Sequence, residues 1–248
     1  MEFSGRHIVI TGASSGIGLA TATKIVSLGG QVTLLARRAD VLQDAQRRLG
    51  DAASCVAVDV GDKVQLLAAL DHAVNRGGPL DGVFLNAALG GDFVPIWDYP
   101  DRTLEDVMRV NVLSPFWAAR HVLPAMMARG RGSILVTGSL GSATGMAGNS
   151  AYVVSKHAVL GLARAVAMEV AASGVRCNCL LPGFIDTAML ASVPEAKKAA
   201  MAGRVPLQHI GRPSEAAEVA AFLLSDAASH VTAQSWAVDG GLLGTLLL

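Results

Sequence analysis

The sequence predicts an α/β fold: a doubly wound, parallel seven-stranded sheet with helices on both faces. Three observations point there. Short β-branched runs alternate with longer helix-spaced segments along the whole chain. Several of those runs are apolar almost throughout, as strands covered on both faces are. A glycine-rich turn follows the first of them.

In order, the strand candidates are HIVIT (7–11), QVTLLA (31–36), CVAVD (55–59), GVFLN (82–86), SILVTGS (133–139), VRCNCLL (175–181) and SWAVD (235–239). Helical spacing occupies 16–29, 40–49, 62–76, 102–129, 151–173 and 214–225. Crossover helices between successive strands imply parallel pairing. Asp40 reads as the N-cap of the second helix. In the fourth helix, Pro115 lacks the N–H that would bond the carbonyl of Asn111, which leaves that carbonyl open to water. The stretch 184–212 breaks the alternation and holds Pro194, Pro206 and Gly211. It is expected to cover an active site as a lid. No repeat or linker divides the chain, so residues 1–248 are expected to form one domain.

The chain is 52% hydrophobic and only 16% charged, against about 25% charged residues in ordinary soluble domains. Such a composition implies a large buried fraction, or surface buried against another subunit. Twenty acidic and twenty basic side chains cancel, so no electrostatic footprint for nucleic acid or an anionic membrane is expected. Arg164 and Glu169 interrupt the longest apolar runs, short of the roughly 20 residues that span a bilayer. The N-terminus MEFSGRHIVITG does not read as a signal peptide. Cys55, Cys177 and Cys179 lack C-x-x-C spacing and read as core thiols in a reducing, cytoplasmic setting. The six histidines lack metal-ligand spacing, and no metal is expected.

The first strand runs into Thr11-Gly12-Ala13-Ser14-Ser15-Gly16-Ile17-Gly18, which opens the first helix. Glycines there let the backbone approach a pyrophosphate, and the helix N-terminus offers free N–H groups and positive potential. This is a Rossmann-like dinucleotide site. The second strand ends Ala36-Arg37-Arg38 with no acid to bond a ribose 2′-hydroxyl. Basic residues suit a 2′-phosphate, so NADP(H) is expected, with NAD(H) the alternative. Asp59, with Val60 after it, is placed to reach the adenine. Asn86, at the end of the fourth strand, is placed beside the cofactor.

In Ser150-Ala-Tyr152-Val-Val-Ser-Lys156, the tyrosine and lysine are four apart and share a helix face. A phenol ordinarily titrates near about 10, and a nearby ammonium favours the phenolate. The pair could exchange a proton with a carbonyl or alcohol oxygen while hydride moves at the adjacent carbon. Ser139, at the end of the fifth strand, could bond the same oxygen.

The set Thr11-Gly12-x-x-x-Gly16-x-Gly18, Asn86-Ala87, Asn111, Ser139, Tyr152-x-x-x-Lys156 and Pro182-Gly183-x-x-x-Thr187 resembles the short-chain dehydrogenase/reductase family over nearly the whole chain. The resemblance implies that Tyr152 is the acid/base and that Ser139 positions the reacting oxygen. It implies that Lys156 binds the nicotinamide ribose and depresses the tyrosine pKa, and that Asn111 holds a relay water. Thr187 would contact the nicotinamide carboxamide, with Pro182, Gly183 and Ile185 lining the same wall. The family usually has Asn-Ala-Gly where this chain has Asn86-Ala87-Ala88, and Ala88 disfavours positive φ.

The expected substrate is an apolar ketone or secondary alcohol, walled by 89–97, 140–149 and 184–204 through Phe93, Trp97, Met146, Phe184, Met189 and Leu190. The alternative is a 3-oxoacyl-[acyl-carrier-protein] reductase, whose acidic partner would need a basic patch drawn from Arg129, Arg131, Lys197, Lys198 and Arg204. A different class, a dinucleotide-binding sensor without catalysis, would be expected to lose Tyr, Lys or Ser, and this chain keeps all three. Low charge, the small residues of 151–173 and the apolar tail GGLLGTLLL suggest buried subunit contacts, and the family resemblance implies a homotetramer.

Overall fold

The structure, a computed structural model, describes residues 1–191 and 193–244. Seven parallel strands lie in the order β3-β2-β1-β4-β5-β6-β7: β1 (His7–Thr11), β2 (Gln31–Ala36), β3 (Ala53–Ala57), β4 (Gly82–Leu85), β5 (Gly132–Thr137), β6 (Val175–Pro182) and β7 (Ser235–Val238). Every residue of β1 and β4 is buried, as their unbroken apolar character requires. The order reverses between β1 and β4, the switch point at which such sheets bind ligands.

One face carries α1 (Gly16–Ser27), α2 (Ala39–Leu49) and α8 (Pro213–Leu224). Ala22, Ile25, Leu42, Ala220 and Leu224 pack there on Ile8, Ile10 and Leu34. The other face carries α3 (Lys63–Gly77), α5 (Ser114–Ala128) and α6 (Ser150–Val170). Leu66, Leu70, Val122, Met126, Val159 and Ala163 cover Val9, Val83, Ile134 and Val136 there. The alternating strand residues thus divide between two cores, which makes the sheet a buried middle layer.

Several local expectations need correction. The N-cap of α2 is Arg38, and Asp40 lies in the helix's first turn, where a carboxylate still favours the positive end of the dipole. The expected long fourth helix is α4 (Asp101–Met108) continued into α5 through a π-helical turn at Arg109–Leu113. The Ser114 N–H reaches back to the Arg109 carbonyl. The helix meets Pro115 by widening before it, as helices with an inserted residue do. The stretch 184–212 is not irregular throughout, because it contains α7 (Glu195–Arg204). Its base is closed by a parallel bridge between Ile185 and Gly211. The last four residues of the apolar tail and Ser192 of the 184–212 stretch fall outside the described residues.

Ala88 carries no strain. Among the described residues only Gln208 and Ala233 have positive φ without being glycine, and the turn after β4 takes its left-handed conformation at Gly91 (φ +70°) instead. Among the described residues no helix is long and apolar enough to cross a membrane.

Candidate active site

The site is assembled at the C-terminal ends of β1, β4, β5 and β6. Gly12 follows β1 with φ +66°. A Cβ built there would lie 2.9 Å from the Ala87 Cα, so only glycine fits between the two turns. A Cβ on Gly18 would strike the Gly12 carbonyl, and one on Gly16 would lie 3.1 Å from Thr187 Cγ2. Thr187 therefore faces the glycine turn across the cleft. Ser15 occupies the N-cap of α1 but makes no side-chain cap bond, so the first-turn N–H groups stay open to an anion. Ser14 and Ile17 are half-buried beside them. This cradle fits a dinucleotide pyrophosphate.

Arg37 and Arg38 are exposed immediately beyond β2. Asp59 lies two residues past the end of β3, exposed, its carboxylate accepting from the Gly61 N–H at 2.9 Å, and Val60 is buried beside it. Asn86 is used within the protein. Its Nδ2 donates to the Thr11 carbonyl at 3.2 Å, and its Oδ1 accepts from the Thr137 hydroxyl at 3.2 Å. The Thr11 hydroxyl in turn accepts from the N–H groups of Asn86 and Ala87. Asn86 thus pins the ends of β1, β4 and β5 together. On the far wall, Pro182 ends β6, the Gly183 N–H bonds the Val238 carbonyl at 2.9 Å, and Ile185 is buried.

Ser139 lies two residues past β5 and caps a short 3₁₀ turn, with its hydroxyl accepting from the Gly141 N–H at 3.2 Å. Its hydroxyl and the Tyr152 ring flank one spot, since a Cβ built on Gly141 would lie 3.7 Å from Ser139 Oγ and 3.6 Å from Tyr152 Cε1. Lys156, only 2% exposed, donates from Nζ to the Thr137 carbonyl at 2.7 Å. The same Nζ lies 5.5 Å from the centroid of the Tyr152 ring. An ammonium has three donors, and this bond uses one of them.

Burial of the site opposes the tuning expected of the phenol. Burial raises the Tyr152 phenol above its ordinary value of 10.0, and the Ser139 hydroxyl pulls it partly back. Burial acts on the lysine in the opposite sense and pulls Lys156 from 10.5 to about 8. Desolvation disfavours whichever form is charged, and both residues lie at the same sealed end of α6.

Asn111, also 2% exposed, lies in the π turn. Its Oδ1 accepts from the Leu89 N–H at 2.8 Å, while Nδ2 donates to the Leu89 carbonyl at 2.9 Å and to the Ser155 hydroxyl at 3.0 Å. Three supporting residues were not singled out by the sequence. Ser142 accepts from the Ser139 N–H at 3.1 Å and donates to the Lys156 carbonyl at 2.8 Å. Ser155 donates to the Tyr152 carbonyl at 2.7 Å. Asn149 caps α6. Small polar residues next to a catalytic motif were the available signal, but their pairing depends on the fold.

The cleft's lips are apolar. Phe93 is 72% exposed and Trp97 81%, with Met146 and Met189 also exposed. A separate cavity lined by Arg6, Asp81, Arg131 and Arg176 lies at the opposite edge of the sheet. Its arginines are already held by Asp81, Asp226 and main-chain carbonyls. Among the described residues no cluster of three or more His, Cys, Asp or Glu side chains could hold a metal.

A family model described as "Enoyl-(Acyl carrier protein) reductase" matches residues 12–243. A cis-4-hydroxycyclohexanecarboxylate dehydrogenase from Sinomonas cyclohexanicum is 37% identical over 241 residues, covering 96% of this chain and 97% of its own. The crystal structure of levodione reductase superposes with a TM-score of 0.95 at 30% identity, covering 99% of this chain and all of the other. A 3-ketoacyl-(acyl-carrier-protein) reductase from Brucella melitensis complexed with NADH gives a TM-score of 0.92 at 27% identity, covering 97% of this chain and 99% of the other. With the glycine cradle, the switch-point cleft and the tyrosine–lysine helix in place, the chain belongs to the short-chain dehydrogenase/reductase family, and it is an oxidoreductase that interconverts carbonyl and alcohol groups with a nicotinamide dinucleotide.

Proposed function

We propose that this enzyme uses NADP(H) in preference to NAD(H), and that it reduces an apolar, ring-sized ketone or oxidises the matching secondary alcohol. The observation that carries the reaction is that the Ser139 hydroxyl and the Tyr152 ring flank the same spot beside Gly141, with the Lys156 ammonium 5.5 Å from the ring centroid.

The bound nicotinamide supplies or accepts the hydride. Ser139 holds the substrate oxygen by a hydrogen bond and orients it toward Tyr152. Tyr152 gives its phenolic proton to that oxygen in reduction and takes it back in oxidation. Lys156 stabilises the phenolate left behind and bonds the cofactor ribose with its free N–H groups. Because every side-chain bond of Asn111 already serves Leu89 or Ser155, a relay water would be held by its main-chain carbonyl. Gly12, Ser14, Ser15, Gly16, Ile17 and Gly18 cradle the pyrophosphate, Arg37 and Arg38 receive the 2′-phosphate, and Asp59 and Val60 flank the adenine. Asn86 and Ala87 form the floor, while Pro182, Gly183, Ile185 and Thr187 wall the nicotinamide.

Two facts support the cofactor preference: exposed guanidinium groups follow β2, and no carboxylate occupies the position that would read a ribose 2′-hydroxyl. The apolar lips support an apolar substrate, and relatives named for cis-4-hydroxycyclohexanecarboxylate and for cyclohexanol support a ring-sized one. The acyl-carrier reading has less support. Arg129 and Arg131 lie at the other edge of the sheet, bonded to the Leu80 carbonyl and Asp81, while Lys198 pairs with Glu195, so the five basic residues form no common patch. The segment 184–212 would act as the lid. A homotetramer is supported by the exposed stripe Val154, Gly161 and Met168 on α6, with Leu113 and Phe116 beside α5.

Purified protein incubated with NADPH or NADH and a panel of cyclic and aryl ketones tests this reading. Faster cofactor consumption with NADPH and a cyclic ketone is expected. Cofactor binding without consumption across the panel would overturn it.

A further inference from the structure

The loop after β4 is tied to both ends of the Tyr152 residue. On one side Asn111 grips the N–H and carbonyl of Leu89 and bonds Ser155, whose hydroxyl donates to the Tyr152 carbonyl. On the other side Asn149, 2% exposed, donates from Nδ2 to the Gly90 carbonyl at 2.7 Å and accepts at Oδ1 from the Tyr152 N–H at 3.4 Å. Two consecutive loop carbonyls are therefore linked, each through an asparagine, to the N–H and C=O of the same tyrosine.

The Asn149 side is closely built. A Cβ on Gly91 would lie 3.2 Å from Asn149 Oδ1 and would strike the Tyr99 hydroxyl. That hydroxyl accepts from the Asp92 N–H at 3.0 Å, which leads the loop on to Phe93 and Trp97 at the lip. A buried amide that uses donor and acceptor on two separate segments fixes their separation, because leaving either partner unpaired is costly. An N-cap alone would need only the acceptor, which Ser, Thr or Asp supplies equally well. The donor to Gly90 is what capping does not explain.

We infer that Asn149 is a positioning residue that sets the gap between the Tyr152 hydroxyl and the substrate-bearing loop 89–97. The inference rests on Tyr152 being the acid/base proposed above. It assigns Asn149 to the ketone side of the site, since no bond of its side chain reaches the glycine turn or the walls of the dinucleotide cradle.

The test compares native enzyme with Asn149→Ser, Asn149→Asp and Tyr152→Phe, using NADPH and the panel ketone that the native enzyme reduces fastest. Ser and Asp keep the cap acceptor, but an Asp carboxylate has no donor and the shorter Ser side chain has a single oxygen, which cannot span both the Tyr152 N–H and the Gly90 carbonyl. Both should lower kcat and raise the KM for ketone by about tenfold or more in combination, as small misplacements do, with the KM for NADPH unchanged and the Tm lowered only by what one lost buried hydrogen bond accounts for. Hydrogen exchange across 88–99 should quicken in both. An unchanged kcat and ketone KM would overturn the inference, whatever the exchange shows. An equal loss in both KM values together with a Tm lowered beyond that would mark a structural cap only, and would overturn it as well. If Tyr152→Phe matches the native rate, the failure belongs to the acid/base reading instead.

Discussion

Lys156 Nζ lies 5.5 Å from the Tyr152 ring centroid while donating to the Thr137 carbonyl at 2.7 Å. The lysine is thus anchored to the end of β5 and does not touch the phenol.

This placement has a measurable cost. Burial lowers Lys156 from 10.5 to about 8, so the fold disfavours the ammonium. The penalty is fully present below pH about 8 and fades as pH rises toward the unfolded value of about 10.4, with a size on the order of 3 kcal/mol. Lys156→Met removes the charge, although the Thr137 carbonyl then loses a donor worth about 1 kcal/mol. Calorimetry at neutral pH should show Tm raised by about 4–8 °C while turnover is lost. A lower Tm would mean that the ammonium stabilises the fold.

The same titration bears on binding. NADPH affinity of the native enzyme should weaken as pH climbs past the lysine's value of about 8, whereas Lys156→Met should bind weakly with a flat pH profile. Fluorescence titration of NADPH across that range checks both.

Arg37 and Arg38 follow β2 in the open. If Arg37 receives a 2′-phosphate as proposed, replacing it by Asp would remove a charge-assisted contact worth about 1.5–3 kcal/mol. The kcat/KM ratio of NADPH to NADH should therefore fall by roughly 10- to 100-fold. An unchanged ratio would place the reading of the 2′-phosphate elsewhere.

His7 sets the response to acid. Its Nδ1–H donates to the Gly78 carbonyl at 3.1 Å, and when the ring is neutral Nε2 accepts from the Thr33 hydroxyl at 2.8 Å. Burial lowers its pKa, opposed by the Gly78 carbonyl and Asp81. The unfolded chain therefore gains a proton first, and stability is lost as pH falls below about 6.5 until the folded ring also protonates. Thermal melts between about pH 7.5 and 5.5 should show a larger fall in Tm for the native enzyme than for His7→Gln.

Much of this was legible because local signals agreed. β1 and β2 have the bounds that the apolar runs give, since Gly12 and Gly29-Gly30 punctuate them. The Tyr152–Lys156 pair was readable because helical spacing alone puts both on one face. α7 was not, because Glu195–Arg204 buries no residue and so carries no hydrophobic period, leaving only the helix-forming alanines and lysines as signal. Pro115 flagged a break in helical bonding, but the chain's remedy, a π turn that carries Asn111 inward, depends on α4 and α5 packing against α6. The raised Tyr152 pKa was invisible because desolvation is a property of the closed end of α6 rather than of the motif.

The central claim is that the Tyr152 hydroxyl moves the proton to the substrate oxygen. Its most direct measurement is the single-turnover rate of ketone reduction by Tyr152→Phe with NADPH already bound. The rate should fall by at least about 10²- to 10⁴-fold with NADPH affinity unchanged. Reduction at the native rate would contradict it.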